Sequence, residues 1–262
     1  MSDTAGKDPK PVAGNVGVSV FGDSHCGRFA ISRQMIACMP LLKAVDLALH
    51  PFSGGTITGF GKRSSSLGIA DKIRTAIRPH DRLLVFNFGQ VDVELGYFYR
   101  LAVKREEVDF AAFVERLVAT YMDFLRPLRG AAPIAVKGIN PSVLTYFRDR
   151  AIRYTSRIIA ENLPDARSRA EAEQVLREVF PDPRTIAANH RAFNHAVQAA
   201  CAAEGYFYYD IADVLTDPVT DMVRPDLVLE AFDHHVASTL GVHLAYWRPL
   251  AGPIEAARRI TG

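Results

Sequence analysis

The chain has 262 residues, 48% hydrophobic and 23% charged, with 31 basic against 29 acidic side chains and a formal net charge of +2. This is the composition of a globular protein, and the balanced charge makes no case for a nucleic-acid or membrane-surface partner. The three cysteines, Cys26, Cys38 and Cys201, do not make a disulfide framework and fit a reduced, intracellular setting.

Residues 1–14 are polar and lack an apolar signal core, which predicts a disordered lead and no secretory signal. No apolar run approaches the roughly 18 residues of a membrane span, so the expected location is the cytoplasm. Five short apolar runs read as strands buried on both faces: 16–21, 44–50, 82–88, 133–139 and 205–211. Helical spacing occupies 27–39, 66–77, 108–128 and 185–204 between them. Residues 145–184 are arginine-rich and partly helical, best over 168–180, and read as a helical insertion or a lid. Residues 240–262 read as a last helix with a frayed tail. Alternating strand and helix predict one three-layer α/β/α domain over 15–262, with a central parallel sheet of about five strands.

Ligands of such a sheet bind beyond the carboxyl ends of the strands, so the residues there matter most. The first strand ends on Gly22-Asp23-Ser24, directly before a predicted helix. Gly22 permits a tight turn. Ser24 is then either an N-cap or a nucleophile whose own N–H helps hold an oxyanion. The second strand is followed by Gly54, Gly55, Gly59 and Gly61, whose backbone can approach a ligand closely or merely turn the chain. The third strand leads into Asn87-Phe88-Gly89-Gln90-Val91-Asp92, where Asp92 can also pair with Arg100 or cap a helix. Past the fifth strand, Phe232-Asp233-His234-His235 supplies the imidazole and carboxylate that an activated serine requires.

Other chemistries find less support. His190 and His195 lie five apart, off the helical spacing of a paired metal site, and Cys-x-x-Cys is absent, so no metal is expected. Gly61-Lys62-Arg63-Ser64-Ser65 lacks phosphate-loop spacing, and Gly-x-Gly-x-x-Gly is missing, so no cofactor is expected. Cys26 reads as a packing residue. The aromatic run 96–100 reads as packing or as a stacking surface for a sugar, and the arginines of 148–169 as a solvated helix face or the lining of an anion site.

The four strand-end segments together resemble the SGNH/GDSL hydrolases. Residues 20–24 resemble the family's first block, 52–56 the second, 88–92 the third and 232–236 the last. The resemblance implies a flavodoxin-like SGNH fold in which Ser24 is the nucleophile, His235 the base and Asp233 its orienting acid. It places an oxyanion-hole N–H on Gly54. It departs from the pattern at His25, where the family has leucine, and at Val91, where it has an asparagine donor. Gln90 or Asn87 would have to supply that amide. Asp23 and Asp92 fall at the substrate end of the site, and His234 is the alternate base.

The expected activity is that of a serine esterase or O-deacetylase acting through an acyl-enzyme. The expected partner is a small-molecule or carbohydrate ester, with no nucleic acid or membrane. An acyltransferase using the same site, or a non-catalytic relative binding a glycan or protein, is the alternative.

Overall fold

The computed structural model describes residues 15–60 and 68–261. The N-terminal lead, Gly61 and the Gly-Lys-Arg-Ser-Ser stretch lie outside the described residues. Five strands form one parallel sheet: β1 Val16–Gly22, β2 Val45–Pro51, β3 Asp81–Asn87, β4 Ile134–Lys137 and β5 Phe207–Tyr209. Their order is β2-β1-β3-β4-β5. The chain reverses its direction of travel across the sheet between β1 and β3, so this order creates a crevice at their carboxyl ends.

Strand alternation divides the core in two. Val16, Val18 and Val20 of β1, with Leu83 and Val85 of β3, face one side. Phe21, Leu84, Phe86, Ile134 and Val136 face the other. The helices are α1 Arg33–Cys38, α2 Ile69–Ala76, α3 Phe110–Leu125, α4 Arg148–Ile159, α5 Ala166–Val179, α6 Pro183–Glu204, α7 Ala212–Leu215, α8 Leu240–Trp247 and α9 Ala251–Thr261. α2, α3 and much of α6 cover the second face. α1, α4, α5, α8 and α9 pack against the first. Ser32, Asp109, Asp165, Asp182 and Thr239 each cap a helix start by accepting a backbone N–H, worth about 1 kcal/mol apiece. Among the described residues, no helix is long and apolar enough to cross a membrane.

One expectation is corrected. The segment 27–39 is not one helix: a tight turn of helix over Ser24–Phe29 stops at Ala30, and Ser32 caps a new one. The segment 145–184 is helical, and its Ala151, Ile152 and Leu176 are fully buried in the first core. At the C-terminal end, α9 packs on β1 and β3 with Ile254 fully buried.

Candidate active site

The turn after β1 explains its own sequence. A Cβ on Gly22 would lie 2.6 Å from both the Asn87 carbonyl oxygen and Cys26 Cβ, so only glycine fits there. Asp23 N–H then donates to the Asn87 carbonyl (3.2 Å), tying the turn to the end of β3. The Asp23 carboxylate, wholly buried, accepts from His25 N–H at 2.9 Å and caps the helical turn that follows. Ser24 is carried on the first residue of that turn, at the switch between β1 and β3.

The loop 233–236 returns to this turn from the far end of the chain. Ser24 Oγ lies 2.8 Å from His235 Nε2, and His235 Nδ1 lies 3.2 Å from Asp233 Oδ1. The same carboxylate oxygen accepts His235 N–H at 2.6 Å, which fixes the acid against its histidine. Partial burial of Asp233 favours its neutral form, but the His235 hydrogen bonds outweigh that and hold the carboxyl below its usual range. Arg28 donates to the Val236 carbonyl (2.7 Å), and His25 Nε2 lies 3.3 Å from the His234 carbonyl. These contacts stitch the histidine loop to the serine turn. The His25 ring also stacks on His235 with centroids 4.3 Å apart, filling the place of the expected leucine.

The remaining predicted residues are placed as follows. Gly54 sits on an exposed loop with φ +68, and that loop is anchored by Phe52 N–H donating to the Gly22 carbonyl (2.8 Å). Among the described residues no acceptor takes the N–H of Ser24 or of Gly54. Asn87 ends β3, and its side-chain oxygen is buried without a hydrogen-bond partner.

Gln90 is a correction: its amide nitrogen donates to Glu94 Oε1 (2.9 Å) and the Asn140 carbonyl (3.3 Å), so neither N–H is left for an oxyanion. Asp92 is another. It is fully buried and accepts from Ile57 N–H (2.7 Å), Thr58 N–H (3.1 Å) and Thr58 Oγ1 (2.8 Å). Burial raises its pKa to about 6 despite those donors. It holds the loop after β2 rather than facing a substrate. Asp23, equally buried, likewise serves the turn. His234 is not placed to act as the base: its Nδ1 lies 3.1 Å from Glu94 Oε2, and its ring abuts Tyr154.

Behind the histidine loop lies a polar network that the sequence reading missed. Glu94 accepts from Gln90 and from Ser142 Oγ (2.6 Å) and faces His234. His190 Nε2 approaches Glu94 Oε1 at 3.3 Å. Burial opposes the Glu94 charge, but the two histidines outweigh it and hold the carboxyl well below its usual range. For His234, burial favours the neutral ring, yet the Glu94 hydrogen bond and charge raise its pKa. The chain of bonds continues through Asn140 to Lys137 Nζ (2.9 Å), which is buried over the Tyr246 ring. The signal for Glu94 was its i+4 spacing from Gln90; for Lys137, it was a lysine inside an apolar strand.

His25, His234 and His235 bring one nitrogen each to within 4.8 Å of one another. Both ring nitrogens of His25 and of His235 already lie within hydrogen-bond distance of protein groups. The aromatic run 96–100 is mainly packing: Phe98 stacks on Phe180, and Tyr97 lies against Phe110 and Phe113. Burial raises the Cys26 thiol pKa far above its usual value, in keeping with packing.

No family model and no curated protein sequence matches the chain. Among solved structures, it is similar to a GDSL-like lipase from Bacteroides thetaiotaomicron (12% identity, TM-score 0.50, covering 95% of this chain and 92% of that one). It is also similar to an extracellular lipase from Streptomyces rimosus (12%, TM-score 0.49, 90% and 99%). A third is an acetylxylan esterase from Geobacillus stearothermophilus (13%, TM-score 0.48, 92% and 96%). With the parallel 2-1-3-4-5 sheet and the first of these likenesses, the chain has the α/β fold of the SGNH/GDSL hydrolases.

Proposed function

We propose that the protein is a serine esterase that cleaves a carboxylic ester through an acyl-enzyme. The observation that carries this reading is the line Ser24 Oγ–His235 Nε2–Asp233, assembled from residues 211 apart in sequence. Ser24 Oγ–H donates to Nε2, so His235 carries its own proton on Nδ1, facing the Asp233 carboxylate. That tautomer is the one a general base needs. As Ser24 attacks the ester carbonyl, His235 Nε2 takes its proton and Asp233 stabilises the imidazolium. The same proton passes to the departing alcohol. Water, deprotonated by His235, then clears the acyl group from Ser24.

The developing oxyanion is held by the N–H groups of Ser24 and Gly54. No side-chain amide from Gln90 joins them, and Asn87 is the remaining candidate for a third donor. Loss of one such donor costs about 10²–10³ in rate, so a slow esterase is expected. O-acyl sugars fall within this substrate class.

The test is hydrolysis of p-nitrophenyl acetate by the parent, Ser24→Ala and His235→Ala. The expected result is parent turnover with a loss of about 10³ or more in each variant. A Ser24→Ala protein as active as the parent, or an inactive parent, contradicts the proposal.

A further inference from the structure

Beside the proposed site, α4 and the loop carrying the histidine enclose an open groove of about 290 Å³, lined by Arg150, Arg153, Tyr154, Arg157, Ala231 and Phe232. Its last two residues run directly into Asp233, and Tyr154 lies against the His234 ring with centroids 5.5 Å apart. The groove therefore opens on the histidine loop itself.

Two observations set this groove apart from an ordinary solvated face. First, its arginines are not spent on carboxylates. Arg150 donates to the Glu230 carbonyl (2.9 Å) and lies over the rings of Phe147 and Phe232, at 5.3 and 4.8 Å. Arg157 lies over the Tyr154 ring, 5.7 Å from its centre. Neither Arg153 nor Arg157 has an acidic partner among the described residues, whereas Arg74, Arg126, Arg129, Arg167, Arg177 and Arg191 all do. Arg153 and Arg157 stand four apart on one helix face, close enough to grip one anion together. The Asp233 carboxylate nearby is turned to His235 through Oδ1.

Second, the rings at the mouth are held in left-handed backbone. Phe147 has φ 52 and Phe232 φ 46, a region that bulky side chains rarely occupy and that costs about 1–3 kcal/mol each. The two rings meet edge to face at 6.0 Å, and Phe147 remains 58% exposed. Strain of this kind concentrates at ligand clamps.

We infer that this groove binds the non-reacting part of an anionic ester substrate. Arg153 and Arg157 take its carboxylate or phosphate, and the exposed Phe147 ring, braced by Phe232, takes a flat or apolar face of the same molecule. The inference rests on the esterase reading for what is hydrolysed, but not for what is bound.

Two matched pairs of esters locate the charge. 4-Nitrophenyl hemisuccinate against 4-nitrophenyl butyrate places it on the acyl side; 3-acetoxybenzoate against phenyl acetate places it on the alcohol side. In at least one pair the anionic ester is expected to have the higher kcat/KM. Arg153→Ala/Arg157→Ala should lower that value by roughly tenfold to a hundredfold, while the neutral ester changes less than twofold and the melting temperature stays in place. Independently of turnover, phenyl phosphate should bind Ser24→Ala in calorimetry and lose at least tenfold in affinity when both arginines are removed. Failure of every ester with binding retained would refute the esterase reading and leave the groove standing. No anionic preference in either pair, equal losses on charged and neutral esters, or phenyl phosphate binding indifferent to the two arginines would overturn the inference.

Discussion

Replacing Glu94 by Gln removes one buried charge while keeping nearly the same shape. Glu94 is 1% exposed and takes Gln90 Nε2, Ser142 Oγ and His234 Nδ1, all donors. A glutamine keeps one acceptor oxygen for Gln90 and Ser142, and its NH₂ then faces His234 Nδ1, which must give up its proton to accept it. Breaking a buried pair from one side costs about 3–5 kcal/mol, and the isosteric amide recovers part of that, leaving roughly 3 kcal/mol. The pH dependence is distinctive. Glu94 is depressed in the folded protein, so its contribution is present above the unfolded value near 4.3 and fades as pH falls through the folded one. His234 is raised, so its contribution is complete below about 6.5 and fades as pH rises through its folded value. The two coincide between roughly pH 4.5 and 6.5. Urea unfolding at pH 5.5–6 should show Glu94→Gln less stable by about 3 kcal/mol, with the gap at least ~1 kcal/mol smaller at pH 9. A gap independent of pH, or a variant as stable as the parent, would refute the charge-pair reasoning.

Two of the four positive-φ glycines among the described residues, Gly54 and Gly89, should respond differently to alanine. Gly54→Ala meets no atom within 4 Å and should cost about 1 kcal/mol from backbone strain alone. Gly89→Ala, at φ +114, puts its Cβ 2.5 Å from Phe193 Cζ and should cost at least ~3 kcal/mol in denaturant unfolding. Lys137, whose pKa burial lowers to about 7, binds fewer protons folded than unfolded, so its term makes stability rise as pH increases from about 7 toward 10. Lys137→Met should flatten that rise in unfolding curves at pH 7 and 9.5. His25→Leu leaves the buried Asp23 without its ring partner and His235 without its stacking neighbour. It should lose about 1–3 kcal/mol of stability and slow ester turnover, measured by unfolding and by p-nitrophenyl acetate assay.

The apolar runs located all five strands: β1, β3 and β4 are buried on both faces, while the edge strands β2 and β5 are only partly covered. The run 205–211 overstated the last, of which only Phe207–Tyr209 pairs. The predicted helix over 27–39 failed because hydrophobic spacing registers burial and not the break at Ala30. Within the site, the approach of residues 24 and 235 was legible, since strand ends of such a sheet converge on one edge. The direction of the Gln90 amide was not. It depends on Glu94, Asn140 and Ser142, which come together only through the fold. Lys137 bonds locally, to Asn140 and the Gly138 carbonyl; the ring that covers it, Tyr246, comes from a distant segment.

Reaction with a fluorophosphonate, followed by peptide mass mapping, tests the proposed role of Ser24 most directly. The account predicts one covalent phosphonyl adduct, on Ser24, formed by the parent and by Glu94→Gln but not by His235→Ala. An unlabelled parent, or an adduct on another residue with Ser24 untouched, would contradict it.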